Sequence, residues 1–455
     1  MRSSAEAPIN TCQSQESAMS LNRVAVLGLD GVPFSLLNDL FDAGLMPNLA
    51  RMARSGSFLR METTLPPVSS VAWTSFMTGV NPGEHGIFGF TDLNPGEISL
   101  KLPSADDIRA PTLWQQMPDK FSVIINLPFT YPARPLNGVM ICGFVAPIFE
   151  RSVYPQSLAS RLRSLQYRID VDAVKGRHDR HGLIRDLFET LNLREQVIWS
   201  LMKEQPWELL TAVVTGTDRL HHFFFDAADT PGHPFHRDFT DYYRRVDSLF
   251  GRFRELAGSS TRLVVLSDHG FAGLKTQVYL NHILKTMGYV SFERPEPQSI
   301  DDISASSLAF AMEPGRIYLN GRDRFRSGRL ARDEERGVRA NLKAELARLS
   351  LADIGLTDGD FHDPPNAALF EKILTKEEAY HGQCLDLAPD LILVPRRGFD
   401  LKADVGARTH AMKDIFTGMH THDDAFLMVD DPEIAQRLPE PKITDVAALI
   451  TEVLV

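Results

Sequence analysis

The chain has 455 residues, 43% of them hydrophobic and 24% charged, with a formal net charge of −11 and a pI near 5.7. That length suits one large α/β domain with insertions, or two domains. The acidic balance argues against a nucleic acid polymer as ligand, since phosphate-backbone binding needs excess Lys and Arg, but leaves room for a small phosphorylated substrate, because bound cations reverse the local field.

Residues 1–21 are polar and lack the apolar run of a signal peptide, so they read as a loose tail, with Met19 as an alternative start. The three cysteines, Cys12, Cys142 and Cys384, form no CxxC pair, which favours a reducing, cytoplasmic setting. No apolar stretch approaches the ~20 residues of a membrane span.

Short runs rich in Val, Ile and Leu read as buried parallel strands: Arg23–Leu29, Ser122–Asn126, Gly138–Phe144, Leu209–Thr215, Arg262–Ser267 and Asp390–Val394. Between them, Phe34–Leu40 and Pro47–Ala53 read as helices. Tyr243, Val246, Phe250 and Phe253 recur at helical spacing. The alternation predicts a mostly parallel central sheet with helices on both faces. Two stretches break the rhythm and are candidate insertions: the helical, charged 151–202, and 291–378, which mixes loop with a helix-like Arg332–Leu349. Each is read either as pocket-shaping or as peripheral cover. The mixed-sign Arg322–Arg339 reads as a solvated face.

The chemistry lies at the strand ends, where open parallel sheets bind ligands. Asp30 follows the first strand in LGLDG. Asp218 and His222 follow the fourth in TGTDRLHH, and Asp268 and His269 follow the fifth in SDHG. His420, in GMHTHDD, precedes the apolar run Ala425–Val429. One Asp after a strand is ordinarily a cap or turn residue, and a lone His is ordinarily a packed one. Five such side chains at one rim point instead to Zn²⁺, Mn²⁺ or Fe²⁺, with no thiolate in the set.

A second signal is PPVSSVAWTSFMTG, residues 66–79. Val71–Thr78 predicts a helix closed by Gly79, with Ser69 or Ser70 at its N-terminus. Free N–H groups and the dipole there favour a phosphate oxyanion. A serine becomes a nucleophile at neutral pH when a dication lowers its pKa. From this segment alone, a plain capping serine is the simpler reading.

Taken together, GLDG with MPNL, PPVSSVAWTSFMTG with NPGEHGIFGF, LPFTYPA, TDRLHHFFF, SDHGF with VYLN, APDLIL and GMHTHDD resemble the type I phosphodiesterase/nucleotide pyrophosphatase branch of the alkaline phosphatase superfamily, over 22–455. The resemblance implies an alkaline phosphatase-like domain with two divalent metal ions, zinc first and manganese as the alternative. It places Asp30, Asp268 and His269 on one metal with the nucleophile, and Asp218, His222 and His420 on the other. The family nucleophile lies ten residues before the glycine of its TG motif, which selects Ser69, itself a metal neighbour. His221 and His422 are left as supporting candidates, and His85 as a structural turn residue. The chain departs from the nucleotide pyrophosphatase pattern at Phe90, where those enzymes carry an Asn that binds a phosphoryl oxygen. Nucleotide specificity is therefore not carried over.

The implied activity is hydrolysis of a phosphodiester or phosphonate ester through a phosphoseryl intermediate. Phe90 and Arg219 are candidate substrate contacts, Arg219 equally a salt-bridge residue. Phe88 and Trp73 are further aromatics near the nucleophile, Trp73 reading first as core. The alternatives are a phosphomonoesterase or phosphotransferase on the same site, and, from another class, a metal-binding scaffold without turnover. A sulfatase is disfavoured because the matching site reads SSVAW rather than C/S-x-P-x-R.

Overall fold

The computed structural model describes residues 22–356, 363–406, 408–412 and 415–455. The expected 1–21 tail, Met19 and Cys12 lie outside these. An eight-stranded sheet forms the centre, in the order Ser57–Met61, Ala425–Val429, Thr261–Leu266, Arg23–Leu29, Leu209–Val214, Ser122–Leu127, Gly138–Cys142 and Val153–Tyr154. The five strands from Thr261–Leu266 to Gly138–Cys142 run parallel. Ala425–Val429 and Val153–Tyr154 join them antiparallel. All six residues of Leu209–Val214 are buried, as the unbroken apolar run requires of a strand covered on both faces.

Helices cover both faces. On one, Leu37, Leu187, Leu191, Ile198, Tyr243 and Phe250 pack on strand residues such as Ala25, Leu27 and Leu210. The long helix Arg180–Glu204, within the stretch read as a candidate insertion, is thus part of this layer. On the other face lie the helix Ser69–Thr78 and the C-terminal helix Asp445–Leu454. Every residue of Ser69–Thr78 is buried, so it is a core helix rather than an amphipathic surface one. Gly79 closes it in the left-handed region at φ 74, its N–H bonding Ser75 O.

One expected strand sits elsewhere. Leu391–Pro395 belongs to a separate four-stranded antiparallel sheet with Arg316–Leu319, Phe370–Thr375 and Ala309–Met312, not to the parallel sheet. A short LILV run buried on both faces reads alike in either setting, and only its partners decide. This sheet and the helix Arg332–Leu346 share a second core, including Leu342, Leu346, Phe310 and Leu391. Among the described residues, no helix is long and apolar enough to cross a membrane.

Candidate active site

The six Asp and His residues singled out above meet at one end of the sheet, together with Ser69. Asp30 leaves the strand Arg23–Leu29, and Asp268 and His269 leave its neighbour Thr261–Leu266. Asp218 and His222 stand one turn apart on the helix Gly216–Phe224, which starts just after the strand Leu209–Val214. His420 comes from the strand Gly418–Thr421, paired antiparallel to Gly270–Gly273. Ser69 is the first residue of its helix.

Two groups result. Asp218 Oδ1 lies 3.1 Å from His420 Nε2 and 3.4 Å from His222 Nε2, and the two Nε2 atoms are 3.0 Å apart. His269 Nε2 lies 3.8 Å from Asp30 Oδ1 and 3.4 Å from Asp268 Oδ2, while Ser69 Oγ is 3.2 Å from Asp30 Oδ1 and 3.3 Å from His269 Nε2. His269 joins the groups. A ligand atom of its ring lies within 4.8 Å of those of Asp218 and His420, and the two imidazoles stack at 3.8 Å. Asp30, Asp268 and His269 are fully buried, whereas His222 and His420 face a cavity of about 310 Å³.

Each carboxylate is held by one oxygen and presents the other. Trp73 Nε1–H donates to Asp30 Oδ2 at 3.0 Å. The Gly31 amide donates to Asp268 Oδ1 at 3.0 Å, and Arg219 Nη1 donates to Asp218 Oδ2 at 3.1 Å. The Trp73 contact depends on Gly28, because a Cβ at that position would meet the indole at 2.5 Å. The imidazoles are oriented in the same way. His420 Nδ1 bonds Pro67 O at 2.9 Å and His269 Nδ1 bonds Gly270 O at 3.1 Å. Both bonds need the proton on Nδ1, which leaves bare Nε2 lone pairs aimed inward.

What converges is therefore almost all acceptor. Asp268 Oδ2 is buried and has no hydrogen-bond partner. Burial, then Asp268 and Asp218, hold Asp30 well above the usual carboxylate range, and burial pushes Asp268 up to about 7. Burial alone would raise Asp218 as well, but His222, His420 and Arg219 prevail and hold it well below that range. Burial lowers His222 and His269. A crowded cluster of imidazole nitrogens and carboxylates, three of its members fully buried, is unfavourable without positive charge at its centre. The donor set fits two divalent cations, with oxygen and nitrogen ligands suited to Zn²⁺ or Mn²⁺.

The remaining candidates fall as follows. Arg219 is bound to Asp170 at 2.7 Å as well as to Asp218, lies over the Phe144 ring, and does not line the cavity. Phe90 does line it, stacked on Phe144 at 5.8 Å. Trp73 is core, and Phe88 is buried against Tyr380. His85 is a buried turn residue, its Nε2 on Ser75 Oγ and its Nδ1 accepting from the Ile87 amide. His422 meets Lys372 at the cavity edge, outside both groups. His221 is a buried tie: Nδ1 donates to Gly31 O at 2.8 Å and Nε2 accepts from Tyr243 at 2.7 Å, linking the helix that carries Asp218 to the turn after Asp30. Sequence reasoning missed the roles of Trp73 and Tyr243. The one signal for Trp73 was a glycine, Gly28, inside an otherwise bulky strand.

The bond from Trp73 has a measurable consequence. Trp73→Phe removes the N–H that orients Asp30 and keeps an aromatic ring in the core. Losing such a supporting partner is expected to cost about 10–100-fold in metal affinity or activity. Chelator competition on the variant checks this, and wild-type affinity together with wild-type turnover would refute it.

Comparison with known proteins places the chain in a family and its fold among solved structures. A family model described as type I phosphodiesterase/nucleotide pyrophosphatase matches residues 24–423. No curated protein matches the chain by sequence. Among solved structures, phosphonoacetate hydrolase from Sinorhizobium meliloti 1021 in complex with phosphonoformate is similar with a TM-score of 0.64 at 16% identity, over 96% of this chain and 97% of that one. Human ectonucleotide pyrophosphatase/phosphodiesterase 5 is similar with a TM-score of 0.54 at 12% identity, over 95% of each chain. An inactive form of the murine protein in complex with AMP gives 0.53 at 12%, again over 95% of each.

Proposed function

The chain belongs to the type I phosphodiesterase/nucleotide pyrophosphatase family of hydrolases acting on phosphoester bonds, and from that premise we propose that it cleaves a small phosphodiester or phosphonate ester with Ser69 as nucleophile. The observation that carries this reading is the meeting of two Asp/His groups at one end of the sheet, one of them in contact with the Ser69 hydroxyl and joined to the other through His269. Asp30, Asp268 and His269 would hold one divalent ion, and Asp218, His222 and His420 the other, zinc being the first choice and manganese the second. When bound there, the ions supply Lewis acidity toward the phosphoryl oxygens and offset the charge of the transition state.

The residues of the chain do the rest. Ser69 Oγ forms a bond to phosphorus as the ester P–O bond breaks, and the organic group leaves as an alcohol or phenol. Water then cleaves the phosphoserine and returns the proton to Ser69. The amides of Ser69 and Ser70 open the helix without an intrahelical carbonyl to bind and would be available to the non-bridging oxygens. Arg219 and Asp170 hold Asp218 in place rather than touching substrate. The cavity takes the organic group. Its wall includes Phe90, and the stretch 291–378 reaches it through Glu313, Pro314 and Glu371, which supports a pocket-shaping role for that segment. The two described cysteines, Cys142 and Cys384, are free and buried.

A phosphate monoester dianion has three non-bridging oxygens to partner, and a diester two. With an apolar ring at Phe90 where a donor would be needed, diesters and phosphonate monoesters are expected to be better substrates than simple monoesters. Comparing kcat/KM for bis-(4-nitrophenyl) phosphate and 4-nitrophenyl phosphate under one metal condition checks this. A clear monoester advantage would overturn the diesterase reading. No turnover of either by fully metal-loaded protein would favour the scaffold.

A further inference from the structure

We propose that the cavity beside His222 and His420 selects an organic group ending in an ammonium or comparable cationic donor, and rejects one ending in an anion. The inference rests on the phosphoesterase reading of the adjoining site and names the substrate class within it.

The cavity wall next to the Asp/His groups is apolar, with Pro66, Val68, Phe90, Ile392, Leu401 and Met419 among its residues. Its charged residues, apart from the histidines, are four carboxylates, Glu313, Glu371, Asp400 and Asp423, and two cations, Lys402 and Arg397. Both cations are already engaged. Lys402 Nζ is 2.8 Å from Asp400 Oδ2 and 4.0 Å from Glu313 Oε2. Arg397 Nη2 is 3.0 Å from Asp423 Oδ1, and the Arg397 amide donates to Glu371 Oε1 at 3.2 Å. Among the lining residues four carboxylates stand against two cations, a surplus that Lys372, 3.3 Å from His422 at the cavity edge, reduces without removing.

Glu313 is one of the weakly matched carboxylates. Among the described residues its carboxylate meets the distant Lys402 and, at 3.4 Å, the Ala403 amide. Burial pushes its pKa up, and Lys402 offsets that only in part. The closer Asp400 takes the lysine, and burial of Lys402 is outweighed by Asp400 and Glu313, which keep the ammonium charged and occupied. A ligand carboxylate or second phosphate entering here would meet no free cation among the described lining residues and would face the surplus carboxylates. A ligand ammonium would complete the charge of Glu313. In a walled cleft of low polarity such a difference is focused rather than screened.

Three phosphonate monomethyl esters of matched length read this directly: those of 3-aminopropyl-, propyl- and 3-carboxypropylphosphonic acid, titrated by calorimetry into metal-loaded protein carrying Ser69→Ala so that they are bound and not turned over. The ammonium ligand is expected to bind about tenfold or more tighter than the carboxylate one, with the propyl compound between, as field focusing in a cleft allows. Glu313→Gln is expected to narrow that ratio severalfold, and Asp400→Asn provides a second variant should the first misfold. A carboxylate ligand that binds as well as the ammonium ligand overturns the proposal, as does a ratio unmoved in both variants or no measurable binding of any of the three. The two readings fail separately. Absent turnover of bis-(4-nitrophenyl) phosphate counts against the phosphoesterase while the binding ratio still reports on the cavity, and a flat ratio with good turnover counts against the cavity alone.

Discussion

Ser69→Ala is expected to lower turnover of any phosphodiester by roughly a thousandfold or more while leaving fold and metal content intact, because it removes the attacking atom and none of the Asp or His side chains. The Ser69 hydroxyl contacts Asp30 and His269. Losing two such hydrogen bonds costs about 0.5–1.5 kcal/mol each, small for a chain of this size. The neighbouring serine provides the control. Ser70 Oγ is buried with no hydrogen-bond partner, so Ser70→Ala deletes an unsatisfied hydroxyl and is expected to be neutral or slightly stabilising, with most activity retained. Rapid-quench trapping of a phosphorylated enzyme should label the wild type and Ser70→Ala but not Ser69→Ala. An active, labelled Ser69→Ala would remove Ser69 from the mechanism, and an inactive Ser70→Ala with normal metal content would move the nucleophile by one position.

The positions at the sheet's end were legible because parallel-sheet geometry makes them so. Runs such as VAVLGL, LLTAVV and RLVVL mark buried strands, and polar residues within the first few positions after each emerge near the same edge. That reasoning places Asp30, Asp218 and Asp268 without any knowledge of the strand order. It fails where the partner is distant in sequence and carries no pattern of its own. Ser57–Met61 joins the sheet only through Ala425–Val429, more than 360 residues further on, and its exposed Arg60 dilutes the apolar signal. The LILV strand was legible as a strand but not as part of a second sheet. The cavity was the least legible feature. Phe90, Glu313, Lys402 and His420 come from four separate segments, and nothing in their local sequence says that they share a wall. Arg219 shows the intermediate case. Its adjacency to Asp218 was visible, but whether it turned toward substrate or toward a carboxylate depended on Asp170, 49 positions away.

Full metal loading is expected to give close to two equivalents per chain, the ions roughly 4 Å apart as in other two-metal phosphoryl-transfer sites. The short spacing is favoured by His269, whose ring reaches toward both groups, and by the tie from His221 to Gly31, which fixes the helix bearing Asp218 against the turn bearing Asp30. The same loading is expected to stabilise the fold. Each ion present at a hundred times its Kd adds about 2.7 kcal/mol, and here it also offsets the mutual repulsion of Asp30, Asp268 and Asp218. Prolonged chelation should therefore abolish turnover and lower the Tm together, and zinc or manganese should restore both. Asp218→Asn and Asp268→Asn separate the two sites. Asp218→Asn weakens the group with His222 and His420, and Asp268→Asn weakens the group with His269 and Asp30, so each variant is expected to retain close to one equivalent and to lose nearly all activity. Elemental analysis of the purified, reloaded proteins measures this. One equivalent or none in the wild type would overturn the two-ion assignment, and loss of both ions in either single variant would mean that the two groups form one inseparable site.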